Sequence, residues 1–218
     1  MPEPLTIIGV GGGLLGLTAH LARRHFELAK EVVDILLGFV AFCLFLPLLG
    51  ICATIIRLSS RGPVFYTQVR LGKDGKPFRM YKLRTMRADA ENASGAVWAS
   101  EHDERVVGSC RWMRRSHLDE LPQLINVLKG EMSLIGPRPE RPEIFAELEK
   151  IYPDIRQRLT VRPGITGLAQ IRNGYDRTVD GVRRKLQADL EYIERRRWST
   201  ELRILAATLT KFNDADSR

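Results

Sequence analysis

An apolar run from Val32 to Ile56, carrying one charge at Asp34, decides what this chain can be. As one straight helix it is about 37 Å long, enough to cross a hydrocarbon core of about 30 Å. Two features argue against a simple span. Pro47 lies in its interior, where proline removes a backbone hydrogen bond and crowds the preceding turn. Basic residues flank both ends, with Arg23, Arg24 and Lys30 before the run and Arg57 and Arg61 after it. A single span wants its positive charge mainly on one side. A re-entrant helix-break-helix over 31–60, entering and leaving by the same face, satisfies both flanks. Its arms, Val32–Leu46 and Leu48–Ser60, are each about 20 Å and too short to cross. A kinked spanning helix is the alternative. The run is too long for a cleavable signal, and no small-residue cleavage site follows it.

Residues 1–30 form an apolar to amphipathic N-terminal segment. Gly11, Gly13 and Gly16 fit G-x-G-x-x-G after a strand-like Leu5 to Val10, the fingerprint of a dinucleotide-binding turn. That reading needs a strand–turn–helix and an acidic residue about 20 positions on. Asp34 is near that place but sits inside the apolar run. Gly9/Gly13 and Gly12/Gly16 also match the close-packing pattern of membrane helices, and a short membrane-associated segment is the preferred reading.

Arg57 to Arg87 is strongly basic and sets Asp74 alone against its many cations. Asp74-Gly75 reads as a hairpin turn between strands Val64–Leu71 and Pro77–Leu83. The whole chain carries a formal charge of +8 and a pI near 9.7. Such a balance calls for an anionic partner: a nucleotide, a nucleic acid or a lipid surface. Few aromatics interleave the basic residues, so no base-stacking platform is evident. Cys43, Cys52 and Cys110 have no disulfide or zinc spacing.

The stretch Arg114 to Pro139 holds the chemistry. Leu121, Leu124, Ile125 and Leu128 recur on one helical face, Gly130 suits the helix end, and Pro122 falls in the first turn. This makes Asp119 the expected N-cap, with Glu120 beside it at the positive end of a helix. The N–H groups there would keep Asp119 ionised. Paired carboxylates can hold a divalent cation, while Arg114, Arg115 and Arg138 offer anion contacts. Capping alone is the plain alternative. His117 reads as an ordinary loop histidine.

Glu143 to Arg158 shows one apolar face and reads as a helix, against the core or along a membrane surface. Arg162-Pro163-Gly164-Ile165-Thr166-Gly167 is a glycine loop whose backbone N–H groups could nest a phosphate. Val182 to Trp198 reads as a charged helix, and Leu202 to Leu209 as a final apolar turn or two.

These motifs, from Arg61-Gly62-Pro63-Val64-Phe65-Tyr66 through Asp119-Glu120 and Gly136-Pro137-Arg138-Pro139 to Pro163-Gly164-Ile165-Thr166-Gly167-Leu168-Ala169-Gln170, resemble the bacterial sugar transferases that are monotopic phosphoglycosyl transferases. The resemblance covers most of the chain after about residue 30, and several motifs in order are more specific than any one. Val107, Gly108, Cys110 and His117 depart from the family pattern. The resemblance implies an α+β fold: a mostly helical small catalytic domain, 61–218, with a short β-hairpin and a re-entrant membrane helix broken at a proline. It implies that Asp119 is the nucleophile and Glu120 its assistant, the two also holding Mg²⁺. Lys82, Arg84, Arg115, Arg138, Arg162, Gly164, Thr166 and Asp189 become candidate substrate contacts, Asp189 through an Asp-x-x-Tyr pattern with Tyr192.

The implied reaction moves a sugar 1-phosphate from a nucleotide diphosphosugar, with uracil the expected base, onto a polyprenyl phosphate such as undecaprenyl phosphate. It releases UMP through a phosphosugar–Asp intermediate, as the first membrane step of polysaccharide assembly. The expected partners are these two substrates and the lipid bilayer, not nucleic acid, and a homo-oligomer is compatible. The expected location is the bacterial inner membrane, with the catalytic domain on the cytoplasmic face. Two other classes compete: a membrane-tethered dinucleotide-dependent oxidoreductase resting on Gly11, Gly13 and Gly16, and a non-enzymatic basic module for lipid or nucleic acid. The sequence does not give the sugar.

Overall fold

A computed structural model of the 218-residue chain describes residues 10–87, 90, 103–173 and 179–211. Its first element is one long helix, α1 (Val10–Ser59), of 50 residues. The helix-break-helix expected over 31–60 is therefore a single helix, and it also absorbs much of the N-terminal segment. Pro47 removes one backbone bond from α1 without ending it. The long apolar stretch on both sides favours continuing the helix, because no water is needed to satisfy its backbone.

One face of α1 is seated and the other is bare. From Leu21 onward, Lys30, Asp34 and Gly38, and beyond the proline Leu49, Cys52 and Ile56, are the buried positions. Their spacing is the helical repeat on each side of Pro47. Val32, Leu36, Phe39, Val40, Leu44 and Ile51 are exposed. An apolar face of this extent marks a surface for lipid or another apolar partner, and the segment Leu21–Ser59 is long and apolar enough to cross a membrane.

The part of the chain after α1 is α+β, mostly helical, with two two-stranded sheets among the described residues. Strands β1 (Phe65–Leu71) and β2 (Pro77–Leu83) pair antiparallel, Phe65 opposite Leu83 and Leu71 opposite Pro77. The turn is wider than a two-residue hairpin: Gly72 to Lys76 close a 3₁₀ turn, with Asp74 and Gly75 at positive φ, 57° and 74°. Phe78 and Met80 alternate inward from β2 and meet Val127 and Met132. After the short helices α2 (Arg111–Arg115) and α3 (Gln123–Leu128) come β3 (Ser133–Ile135) and, later, its parallel partner β4 (Gly164–Thr166). Helix α4 (Pro142–Ile151) ends before Pro153, and a 3₁₀ segment, Pro153–Thr160, replaces the second half of the expected helix. Helices α5 (Leu168–Asn173), α6 (Val179–Glu194) and α7 (Trp198–Lys211) close the domain. The last of these is a full helix where sequence suggested only a turn or two.

Both ends of the apolar run are anchored on this one domain. Near the start, Lys30 bridges Asp34 at 3.2 Å and Glu201 of α7 at 2.8 Å. Ser133 of β3 donates to Asp34 at 2.6 Å, and Tyr192 donates to Glu201 at 2.8 Å. All five side chains are buried. Asp34 is thus not a stray charge in a membrane run but part of an interlocked polar cluster, as buried charges require. Near the other end, Cys52 and Ile56 pack with Leu83, Cys110 and Met113. Gly11, Gly13 and Gly16 lie within α1, so the glycine turn needed for a dinucleotide fingerprint is absent there. The strand proposed over Leu5 to Val10 falls mainly outside the described residues.

Candidate active site

Asp119 and Glu120 lie in a 3₁₀ turn, Leu118–Glu120, wedged between α2 and α3. Asp119 is not the cap of the following helix. That helix starts at Gln123, with Pro122 in the cap position and no side-chain cap bond. His117 opens the turn at φ 53°, a left-handed conformation unusual for a residue with a side chain. It reverses the chain so that both acids fall on the buried side. Burial also holds the His117 imidazole below its ordinary pKa, against the pull of Glu120.

The two carboxylates have opposite surroundings. Glu120 Oε1 accepts from Lys82 Nζ at 2.8 Å and from Arg138 Nη2 at 2.5 Å, and Oε2 accepts from Arg138 Nη1 at 3.1 Å. The Arg138 contact is the two-pronged fork that guanidinium makes on carboxylates. Burial alone would raise the pKa of Glu120, but Arg138 and then Lys82 hold it well below the usual range. Lys82 in turn is lowered, by burial first, with Glu120 opposing. Asp119 is 7% exposed, and its side chain makes no hydrogen bond or ion pair among the described residues. Burial, then the charge of Glu120, raise it to about 6, while Lys82, Arg114 and Arg138 pull it back. Sequence reasoning expected helix N–H groups to keep it low, and the missing cap explains the reversal.

The expected substrate contacts divide into those at this cluster and those elsewhere. Lys82 and Arg138 are at it. Arg115 is exposed, and its neighbour Arg114 is the arginine whose charge reaches Asp119. Adjacent arginines on a short helix point different ways, so the choice between them was invisible in sequence. Arg84 is buried at the end of α1, donating to the Arg61 carbonyl at 2.6 Å and to the Ser60 carbonyl and hydroxyl at 3.0 and 2.9 Å. It satisfies helix-end carbonyls, a common use of arginine.

Arg162 pairs with Glu31 of α1 at 2.6 Å. Gly164 spends its N–H on the Pro137 carbonyl at 2.9 Å, so it is engaged in backbone pairing beside β3 instead of a phosphate nest. The Thr166 hydroxyl pairs with that of Thr208 at 2.9 Å. Asp189 is buried against Arg158, Nε to Oδ2 2.8 Å. Burial raises its pKa and Arg158 opposes.

Of the two residues expected to hold magnesium, Asp119 is the one whose carboxylate would be open to it. Magnesium is usually held by one or two carboxylates plus substrate phosphates and waters. Glu120 has its oxygens committed to two cations, whereas the Asp119 carboxylate has no hydrogen-bond or ion-pair partner among the described residues. Among the described residues there is no group of three acidic, histidine or cysteine side chains that would cage a metal without substrate.

Comparison with known proteins gives this geometry its relatives. The "UDP-N-acetylgalactosamine-undecaprenyl-phosphate N-acetylgalactosaminephosphotransferase" of Aeromonas hydrophila is 42% identical over 82% of this chain and 42% of its own length. The "UDP-glucose:undecaprenyl-phosphate glucose-1-phosphate transferase" of Caulobacter vibrioides is 38% identical over 90% of this chain and 74% of its own length. The "Exopolysaccharide production protein PSS" of Rhizobium leguminosarum is 37% identical over 83% of this chain and 92% of its own. The family model for bacterial sugar transferases matches residues 25–214. That match takes in α1 from His25 onward, every strand and helix after it and the Asp119–Glu120 turn, so the chain belongs to the bacterial sugar transferase family of enzymes.

Proposed function

We propose that this enzyme transfers a sugar 1-phosphate from a UDP-sugar to a membrane polyprenyl phosphate, undecaprenyl phosphate in bacteria, and releases UMP. The observation that carries the mechanism is the contrast at the turn: an unbonded, buried Asp119 beside a Glu120 clamped by Lys82 and Arg138. Asp119 attacks the sugar-bearing phosphorus. The bond from that phosphorus to the bridging oxygen breaks, and UMP leaves with the electron pair. The phosphosugar is then an acyl phosphate on Asp119, as in other aspartyl-phosphate enzymes. An oxygen of the polyprenyl phosphate attacks the same phosphorus, the Asp119 carboxylate departs, and polyprenyl diphosphosugar forms.

Glu120 assists by holding Lys82 and Arg138 over the phosphate position, so that both cations are oriented before substrate arrives. With a pKa about 6, Asp119 is mostly ionised at pH 7. Mg²⁺ held by Asp119 would neutralise diphosphate charge.

The named activities of the relatives support both substrates. They differ in the sugar, which stays unassigned. The anchoring of Asp34 and Ile56 on one domain supports a monotopic seat. The domain runs alongside α1 from Lys30 to Ile56, so a bilayer crossed by that stretch would have to enclose the domain as well. With α1 lying on the cytoplasmic face of the inner membrane, its bare side toward the lipid, the Asp119 turn would stand at headgroup depth. The test is UMP release by purified protein from a panel of UDP-sugars with undecaprenyl phosphate and Mg²⁺. No release from any of them would overturn the proposal.

A further inference from the structure

Four consecutive carbonyls after β3 are each held by a donor from outside the loop. The Pro137 carbonyl accepts from Gly164 N at 2.9 Å. The Arg138 carbonyl accepts from Arg158 Nη2 at 2.9 Å. The Pro139 carbonyl accepts from Arg70 Nη1 at 3.1 Å. The Glu140 carbonyl accepts from Leu71 N at 3.0 Å. Two of the four donors are arginine side chains, and each has its own anchor. Arg158 stands 2.8 Å from Asp189, which is 1% exposed, and Arg70 stands 3.6 Å from Glu140.

Pro137 and Pro139 stiffen the loop but have no N–H to pair it with a neighbouring strand. Side-chain donors take that place. What the loop carries is Arg138, whose fork must meet Glu120 with both prongs. A guanidinium on a long stem reaches that geometry reliably only if its Cα is fixed.

We propose that Asp189, Arg158 and Arg70 are positioning residues that fix the Arg138 backbone and thereby set the Arg138 guanidinium on Glu120 and over the substrate phosphate. The phosphate part rests on the function proposed above; the fixing of Arg138 on Glu120 does not. Asp189 then serves the site from behind, through Arg158 and a backbone carbonyl, and does not touch substrate.

A double-mutant cycle tests this with two readouts. The first is kcat/KM for UMP release. The second is the guanidinium N–H signals of Arg138, followed by NMR in ¹⁵N-arginine-labelled protein and assigned with Arg138→Lys. Arg158→Ala should lower kcat/KM about 10- to 100-fold, the usual scale for a supporting partner. It should also shift the Arg138 N–H signals toward those of a free guanidinium, as the fork on Glu120 loosens. In an Arg138→Ala background the same change should cost less than about twofold in kcat/KM. Asp189→Asn should follow Arg158→Ala in both readouts, and Arg158→Lys should restore part of each effect.

Equal losses with and without Arg138 would overturn the proposal, because Arg158 would then act independently of Arg138. An unmoved set of Arg138 N–H signals in Arg158→Ala would also overturn it. If Arg158→Ala does not fold, Arg158→Lys and Asp189→Asn carry the same cycle with smaller displacements. Should wild-type protein turn over no UDP-sugar, the function reading fails, and the Arg138 N–H signals alone still decide the positioning reading.

Discussion

Asp119 and Glu120 are neighbours in the chain with opposite electrostatics. Glu120 takes bonds from Lys82 and from both prongs of Arg138, while the Asp119 carboxylate takes none among the described residues. Burial acts on both in the same direction, so the difference comes from the partners. Glu120 is driven well below its ordinary pKa, and Asp119 is raised to about 6. An anion with no fixed bond is free to react or to bind metal. An anion with three bonds is free to do neither.

Asp119→Asn should abolish turnover and stabilise the fold. The folded pKa of Asp119, about 6, lies above its ordinary value of 3.8, so the native state binds the extra proton between those values. By linkage, stability then falls as pH rises from about 4 to about 6, and the penalty is fully present at pH 7. Asn has no charge to bury. The variant should melt higher than wild type at pH 7, with the gap closing below pH 4. Thermal unfolding across that range checks the sign, and mass spectrometry with UDP-sugar and Mg²⁺ should show no phosphosugar adduct.

Wild-type kcat/KM should fall on the acid side with a limb near pH 6, set by Asp119 in the free enzyme. Raising Mg²⁺ should move that limb to lower pH, because metal binding competes with the proton. A pH–rate series at two Mg²⁺ concentrations measures both. A limb near pH 4 that ignores Mg²⁺ would contradict the assignment.

Glu120→Gln should slow turnover on the order of 10²- to 10³-fold, the scale of losing an oriented charged contact. Gln keeps the shape but no longer neutralises Lys82 and Arg138. The adduct on Asp119 should still form slowly when UDP-sugar is supplied without lipid, and its transfer to undecaprenyl phosphate should stall. Single-turnover assays of the two halves separate these effects.

Arg84 and Arg138 should part company when each is changed to lysine. Arg138→Lys should lower kcat/KM, since lysine cannot make the fork on Glu120. Arg84→Lys should mainly lower the melting temperature. It loses bonds to the Ser60 and Arg61 carbonyls worth about 1–3 kcal/mol, while KM for UDP-sugar stays within about twofold. Melting curves beside steady-state kinetics would show whether the two readouts separate.

Single cysteines placed at Arg23 and Leu58, in a Cys43→Ser background, should both react with an impermeant thiol reagent from the cytoplasmic side. Cys52 and Cys110 are buried and should stay silent. Labelling of the two positions from opposite sides would refute the monotopic seat.

Much of the fold was readable from local pattern. The β1–β2 ribbon showed through the Asp74-Gly75 turn between two strand-like runs, and α3 through its 3.6-residue repeat. What was not readable is whatever depends on contacts between distant segments. Strands β3 and β4 have three residues each and lie far apart in sequence, too short for any periodicity to declare them. Asp34 read as an intruder because its partners, Ser133 and Glu201, are remote.

The site divides in the same way. Asp119, Glu120, Lys82 and Arg138 were identifiable as chemistry-bearing residues in motifs. Arg84, Arg162 and Asp189 stood in motifs too, yet their side chains serve Ser60, Glu31 and Arg158. The type of a residue announces that it binds charge but not whose charge. Arg158 and Arg70 gave no signal at all, since a side chain that holds a backbone carbonyl needs no particular neighbours in sequence.

The join between β3 and β4 has one more consequence. A side chain placed on Gly164 would lie 2.1 Å from the Gly136 nitrogen, and one on Gly167 would lie 2.2 Å from the Gly136 oxygen. Real carbon atoms do not come that close, so neither position can accept even alanine unless the two backbones separate and carry Arg138 with them. Evolution should therefore find these glycines frozen for reasons of space, with a mutational intolerance as severe as that of Asp119. A survey that ranks positions by how little they vary would place Gly136, Gly164 and Gly167 beside the nucleophile and could not tell a steric lock from a reacting group. Only a scan that reports folding and turnover separately would sort them, with the glycines failing at the first step and Asp119 only at the second.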